Sequence, residues 1–372
     1  MKLNKILLLA CTVAVSTGAF AGNKDRSGQA AGSQLLVNPW AATNGVFGLN
    51  GGHTAGLQAM KLNIAGLART KKLEVAATHN TYLSGNGMSI IGAGFANRLS
   101  TKGVLGVHVM SINMGEVPVT TVDAPQGGLG TFKPSIFNAS VGYGHSFTKS
   151  IDAGVNFTFL SEGVSNVRAG AFAIDAGVQY RTGDLEELHF GVFLKNVGSN
   201  MRFTGDGLAF NGTSPDDPSK QITLQNRSEK FQLPTQLTIA SSYDIYMGNQ
   251  VSVTSAPAAE GETPAPSTAM LTGIKTSRLT LMGSFISNAF IADNLGLGAE
   301  YAYKESLFLR AGYRYESGIA DIATSTTVYT GLSAGAGVAF NFGKTDQKVQ
   351  LDYAYRPTRV GAVHSVSLHF RN

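Results

Sequence analysis

The chain has 372 residues, of which 43% are hydrophobic and only 14% charged, with 45 glycines and a formal net charge of +5. Soluble proteins carry about 25% charged residues and about 7% glycine, so this composition argues against a surface that meets only water. The positive balance does not point to nucleic acid, because no basic cluster is interleaved with aromatic residues.

Residues 1–21 read as a signal peptide. Lys2 and Lys5 form a basic start, Ile6 to Val15 is a short apolar run, and Ala19-Phe20-Ala21 is a small-x-small cleavage site before Gly22. The run falls short of the roughly 20 residues that a spanning helix needs. Leu8-Leu9-Ala10-Cys11 also resembles a lipoprotein box, but cutting there would leave an unusually short signal. Cys11 is the only cysteine, so disulfides contribute nothing to the mature chain. No run of about 18 apolar residues follows Gly22, which excludes a helical span there. A membrane location then requires a closed barrel, since lipid leaves no backbone group a partner in water.

Residues 22–70 form an N-terminal extension that reads as short helices and turns, and it is expected to plug the lumen. From residue 71 onward the period becomes two. Strands are expected at 72–83, 87–99, 103–114, 135–147, 150–162, 167–182, 187–198, 231–247, 277–287, 294–304, 306–316, 326–342, 347–356 and 361–371. The fold class is therefore all-β, a transmembrane antiparallel barrel of about fourteen strands behind a short helical or irregular plug. In 307–316, Leu307, Leu309, Ala311, Tyr313 and Tyr315 oppose Phe308, Arg310, Gly312, Arg314 and Glu316. The inner faces are small, glycine-rich and charged, as a polar lumen would be, while the apolar faces suit lipid.

With both termini in the periplasm, alternate links should be tight. The turns at 101–103, 148–150, 183–186, 304–306 and 343–346 are tight, whereas 115–134 and 199–230 are long, as extracellular loops should be. The exception, 248–276, holds a Pro/Ala/Glu stretch that reads as a disordered insertion. Two further strands hidden there would be the rival account, which its prolines oppose.

The alternation turns Glu74, Asp152, Asn156, Glu162, Arg168, Asp175, Gln179, Lys195 and Asp244 toward the lumen. A charge cluster of Glu300, Arg310, Arg314, Asp352 and Arg356 joins them. If Tyr303 pairs with Leu307, Glu300 and Arg310 become direct cross-strand neighbours. Interleaved signs predict a salt-bridged wall rather than an open pore. Tyr301, Tyr303, Tyr313, Tyr315, Tyr353 and Tyr355 are expected outside, as interfacial girdles. Basic residues including Arg69, Arg98, Lys102, Lys149, Arg181, Arg278 and Lys304 fall near the periplasmic rim, where they would meet anionic phospholipid or an acidic partner.

Chemistry is not indicated. The seven histidines show no metal spacing. Ser140 or Ser365 with His145 or His364 would be needed for a hydrolase, and nothing selects them. The reading is of a chain with no catalytic, metal or cofactor site.

Several strings resemble a known family. These are Asn38-Pro39-Trp40-Ala41, Asn63-Ile64-Ala65-Gly66-Leu67-Ala68, Asn166-Val167-Arg168, Lys195-Asn196-Val197-Gly198, Phe231-x-Leu233-Pro234-Thr235, Arg310-Ala311-Gly312-Tyr313-Arg314-Tyr315 and Asp352-Tyr353-Ala354-Tyr355-Arg356-Pro357. Together they resemble the PorV/PorQ family of outer-membrane proteins, which belongs with FadL-like fourteen-stranded barrels. The resemblance implies a lumen hatch around Asn63, Ala65 and Gly66, where the wider family often has Asn-Pro in place of Asn63-Ile64. It implies an accessory of type IX secretion that docks on a translocon barrel or handles secreted cargo. Alternatively it implies FadL-like uptake of a hydrophobic small molecule through the hatch and a lateral wall opening, or a purely structural partner. Outer-membrane lipid is the surrounding medium in each case.

Overall fold

The computed structural model describes residues 22, 24–217, 219–247, 253–254, 270–271, 277–342 and 347–372. The expected signal peptide, most of the 248–276 insertion and the turn at 343–346 lie outside them.

Fourteen strands form one closed barrel. They are β1 (Leu73–Tyr82), β2 (Met88–Arg98), β3 (Gly103–Asn113), β4 (Ser135–Ser146), β5 (Ile151–Val164), β6 (Val167–Thr182) and β7 (Leu188–Gly198). The second half holds β8 (Gln236–Met247), β9 (Ser277–Asn288), β10 (Asn294–Tyr303), β11 (Leu307–Glu316), β12 (Leu332–Asn341), β13 (Lys348–Thr358) and β14 (Gly361–Arg371). Each strand pairs antiparallel with the next, and β14 returns to β1 with Glu74 opposite Arg371 and Thr81 opposite His364. No sheet edge is left, which is the condition for standing in lipid.

The period of two is visible in side-chain burial. Along β6, Ala169, Ala171 and Ala173 are buried while Phe172 and Ile174 are exposed. On this strand small residues turn inward and large apolar ones outward; exposed apolar side chains on the other strands extend the apolar outer wall, although no described helix could cross a membrane. The six tyrosines expected in girdles are all exposed. Tyr301 and Tyr303 stand near the end of the barrel where β1 starts and β14 finishes, and Tyr313 and Tyr315 near the opposite end of β11.

Two expected strand starts are corrected. β8 begins at Gln236 rather than 231, because Phe231 makes only an isolated bridge to Met201 and Pro234 cannot donate to a ladder. β12 begins at Leu332 rather than 326, because Gly331 adopts φ 90°, which breaks the pleat. The rival strands in 248–276 are represented by a two-residue ladder, Val253 with Leu271 and Thr254 with Met270, that stands outside the barrel. At 304–306 the register is the expected one, Tyr303 with Leu307 and Glu300 with Arg310.

Most of residues 34–70, which precede β1, are buried inside the barrel. They form a single helical turn at Ala41–Asn44 and short 3-10 turns at Ser33–Leu36, Asn50–Gly52, Leu57–Lys61 and Ile64–Arg69. Trp40, Leu57, Met60, Ile64 and Leu67 build an apolar core with Ala76, Ala96 and Val104 of the wall. Close approach explains wall glycine: a Cβ on Gly144 would sit 2.5 Å from the Ala68 backbone nitrogen. The lumen is thus an interior core, filled by this segment, as well as a charged wall.

Candidate functional site

Asn63 organises the lumen segment. Its Oδ1 accepts from Ala65 N at 3.2 Å, which caps the Ile64–Arg69 turn. Its Nδ2 donates to Gly51 O at 3.0 Å and to Val178 O of β6 at 3.2 Å. One side chain therefore ties two turns and the wall. Gly66 N donates to Asn63 O at 3.1 Å, and Gly56 N donates to Gly66 O at 3.0 Å. A Cβ on Gly66 would lie 2.1 Å from Thr54 O, so no larger residue fits without moving backbone. Ala65 is fully buried. Asn63, Ala65 and Gly66, the residues of the expected hatch, are all buried in the lumen segment. Ile64, in the place of the expected proline, is buried in the same core.

The expected charge cluster divides. Arg310 Nε donates to Glu300 Oε2 at 2.6 Å and its Nη1 to Asp352 Oδ1 at 2.7 Å. Arg278 joins them, 2.9 Å from Glu300 and 2.7 Å from Glu305. Arg314 and Arg356 stand apart, because each lies four residues further along its strand, about 13 Å at the usual rise. They stack instead: Arg314 Cζ is 4.2 Å from the Phe47 ring centroid, and Arg356 Cζ is 4.8 Å from that of Tyr329. Shared face was legible in sequence, but height along the barrel axis separated the pairs.

Between the lumen segment and the loop end lies a cavity of about 580 Å³. Its base includes Phe47, Gly48, Lys61 and Leu62, and its walls include Ile90, Ile112, Ile136, Thr238 and Ile286. Tyr82, Tyr329, Arg314 and Arg356 line it toward the loops. This volume lies within the range of about 300–1,000 Å³ typical of small-molecule sites, whose mostly apolar walls carry a few orienting polar groups. Lys61 is buried. That burial, reinforced by nearby Lys195, lowers its ammonium from the usual lysine range to about 7. Lys195 Nζ donates to Lys61 O at 2.9 Å, which holds the two elements together. Sequence reading missed Phe47, Lys61, Tyr82 and Tyr329. The one available signal was Lys61, a charge inside an otherwise apolar stretch that must lie within the barrel.

Other expectations are corrected. Arg168 is exposed rather than luminal: β6 turns odd-numbered residues inward, and Arg168 is even. Four rim arginines face inward bonds instead of lipid headgroups. Arg69 donates to His53 O at 3.1 Å, Arg98 to Ala68 O at 2.8 Å, Arg181 pairs with Glu186 at 2.9 Å, and Arg278 joins the acid cluster. They fasten the segment and turns where the chain enters the wall. Ser140 bonds Thr158 inside the barrel, whereas His145 lies outside against Tyr143. Ser365 bonds Asn44 inside, and His364 lies outside against Tyr353. Among the described residues, no group of three or more His, Cys, Asp or Glu could hold a metal.

No known family's sequence profile matches the chain, and no curated protein sequence matches it. Solved structures do. A barrel described as the CymD monoaromatic hydrocarbon channel matches with TM-score 0.50 and 11% identity, over 90% of this chain and 97% of that one. The toluene transporter TodX of P. putida matches with TM-score 0.51 and 12% identity, over 90% and 97%. At such low identity the structural match shows a shared fold: this chain is a fourteen-stranded antiparallel transmembrane β-barrel of the architecture those channels have.

These matches overturn the PorV/PorQ assignment and, with it, the expected accessory role in type IX secretion, the translocon partner and the secreted cargo. The barrels that share the fold are described as a hydrocarbon channel and a toluene transporter. The misreading has a physical origin. The strings that suggested it fall on lumen turns and wall strands, where alternation, glycine and small residues are what any barrel with a filled lumen requires. They report the architecture and carry no information on role.

Proposed function

We propose that this chain is an outer-membrane channel for the uptake of hydrophobic small molecules. The observation that carries the reading is the cavity of about 580 Å³, walled by isoleucines and closed below by the lumen segment. An apolar solute that enters from the loop end gains by leaving water, at roughly 25 cal/mol per Å² of apolar surface buried. Arg314 and Arg356 add cationic side chains, and Lys61 an amine, to the lining, where they would orient a solute with a polar end. Hatch-like displacement of residues 41–69, hinged on the bonds of Asn63, would open the way onward. The shared fold with proteins described as a hydrocarbon channel and a toluene transporter supports the same reading.

The test is uptake of labelled monoaromatic and long-chain aliphatic solutes into cells expressing the wild-type chain, Ile136→Trp, Ile286→Trp or no chain. The two variants should assemble normally and reduce uptake of one solute class to the level of cells that lack the protein. Uptake of every solute unaffected by removing the chain would sink the proposal.

A further inference from the structure

The backbone nitrogen of Gly22 lies 2.9 Å from Asp293 Oδ2. Asp293 is only 2% exposed and ends the short connection between β9 and β10, where its Oδ1 accepts from Asn288 N at 2.9 Å. Gly22 is the residue that follows the expected Ala19-Phe20-Ala21 cleavage site. The residue expected to begin the processed chain and a buried carboxylate therefore meet at the end of the barrel opposite the start of β1.

Glycine is required there. A Cβ on Gly22 would fall 2.5 Å from Asp293 N and 2.8 Å from Ile291 O, both backbone atoms that cannot swing aside. The residues that follow are held on the same loops by separate contacts. Arg26 stacks 4.1 Å from the Phe290 ring centroid and donates to Gln232 Oε1 at 2.8 Å. Ala31 N donates to Gln232 O at 3.1 Å. Leu35 is buried against Leu160, Met201 and Leu233.

A peptide N–H at Gly22 offers Asp293 one neutral hydrogen bond. An α-ammonium at the same place offers a full countercharge, and charge-assisted bonds are roughly twice as strong as neutral ones. We propose that removal of the signal peptide creates the group that locks the N-terminal stretch in place. Hydrolysis breaks the Ala21–Gly22 amide: water supplies hydroxyl to the Ala21 carbonyl carbon and a proton to the Gly22 nitrogen, and at neutral pH the new carboxylic acid gives up its proton while the amine gains one. The ammonium left on Gly22 docks on the Asp293 carboxylate. Docking of residues 22–35 along the loop end is thereby coupled to processing, and the precursor, with an amide at Gly22, holds the stretch more weakly.

The experiment uses the mature protein extracted from outer membranes in mild detergent. Intact mass first establishes the residue at which the chain begins, which is expected to be Gly22. A limiting amine-acylating reagent at neutral pH then labels α-amines, and mass spectrometry of the N-terminal peptide gives the rate, with exposed lysine peptides as the internal reference. Asp293→Asn should label at least about tenfold faster than wild type, the factor that one unit of pKa represents. Gly22→Ala should do the same, because its Cβ displaces the amine while the carboxylate stays; it decides the question if Asp293→Asn fails to assemble. Equal rates in wild type and Gly22→Ala, or a mature chain that begins elsewhere, would overturn the proposal. Neither measurement depends on transport, so this inference and the channel reading stand or fall separately.

Discussion

Arg310 holds two acids inside the wall, with its side chain only 4% exposed. Removing one partner of a buried ion pair leaves charge without compensation, which costs about 3–5 kcal/mol. Gln350 also donates to Asp352, and Arg278 also meets Glu300, so the loss in Arg310→Met should fall near the lower end of that range. Urea unfolding of the extracted barrel would measure it. The triple variant Arg310→Met, Glu300→Gln, Asp352→Asn should recover part of the loss, and no recovery would show that Arg310 acts through packing alone. Lys61 makes the opposite kind of prediction. Burial lowers its ammonium to about 7 in the folded chain, against about 10.5 for a lysine in water, so between these values the unfolded state binds the extra proton. Stability should therefore rise with pH across that window, by at most about 1.4 kcal/mol per unit. Comparing unfolding midpoints of wild type and Lys61→Met at pH 7 and pH 10 isolates this contribution, which should be absent from the variant.

At the scale of elements, the segment of residues 41–69 packs inside the barrel, where it is expected to occlude the lumen. Its core residues Leu57, Met60, Ile64 and Leu67 pack with Trp40 on the wall without any covalent staple. Deleting residues 41–69 should leave a heat-modifiable barrel that shows large, steady conductance in planar bilayers, while the full chain shows none. If the full chain conducts equally well, the segment does not occlude the lumen. The strands themselves were readable because a pleat repeats every two residues and lipid demands one apolar face. The lumen turns were not readable in the same way. Their buried residues answer to wall positions remote in sequence, as Ala68 does to Gly144, and such pairings leave no local period.

For the whole molecule, the sequence alone determined closure, strand number and the inward or outward sense of most side chains. These follow from local alternation and from the need to satisfy every backbone group in lipid. It also determined the Glu300–Arg310 pairing, because a three-residue turn sets the register of β10 and β11. The family assignment drawn from short strings failed, since those strings serve the architecture common to barrels with different roles. Only the tertiary structure decided where the cavity lies and what lines it. Phe47 meets Arg314 and Arg356 because one segment folds across strands hundreds of residues away, at a height along the axis that no periodicity encodes. The seating of Gly22 on Asp293 has the same origin: contact between distant residues is set by the path of the chain through the lumen, and that path is selected by packing.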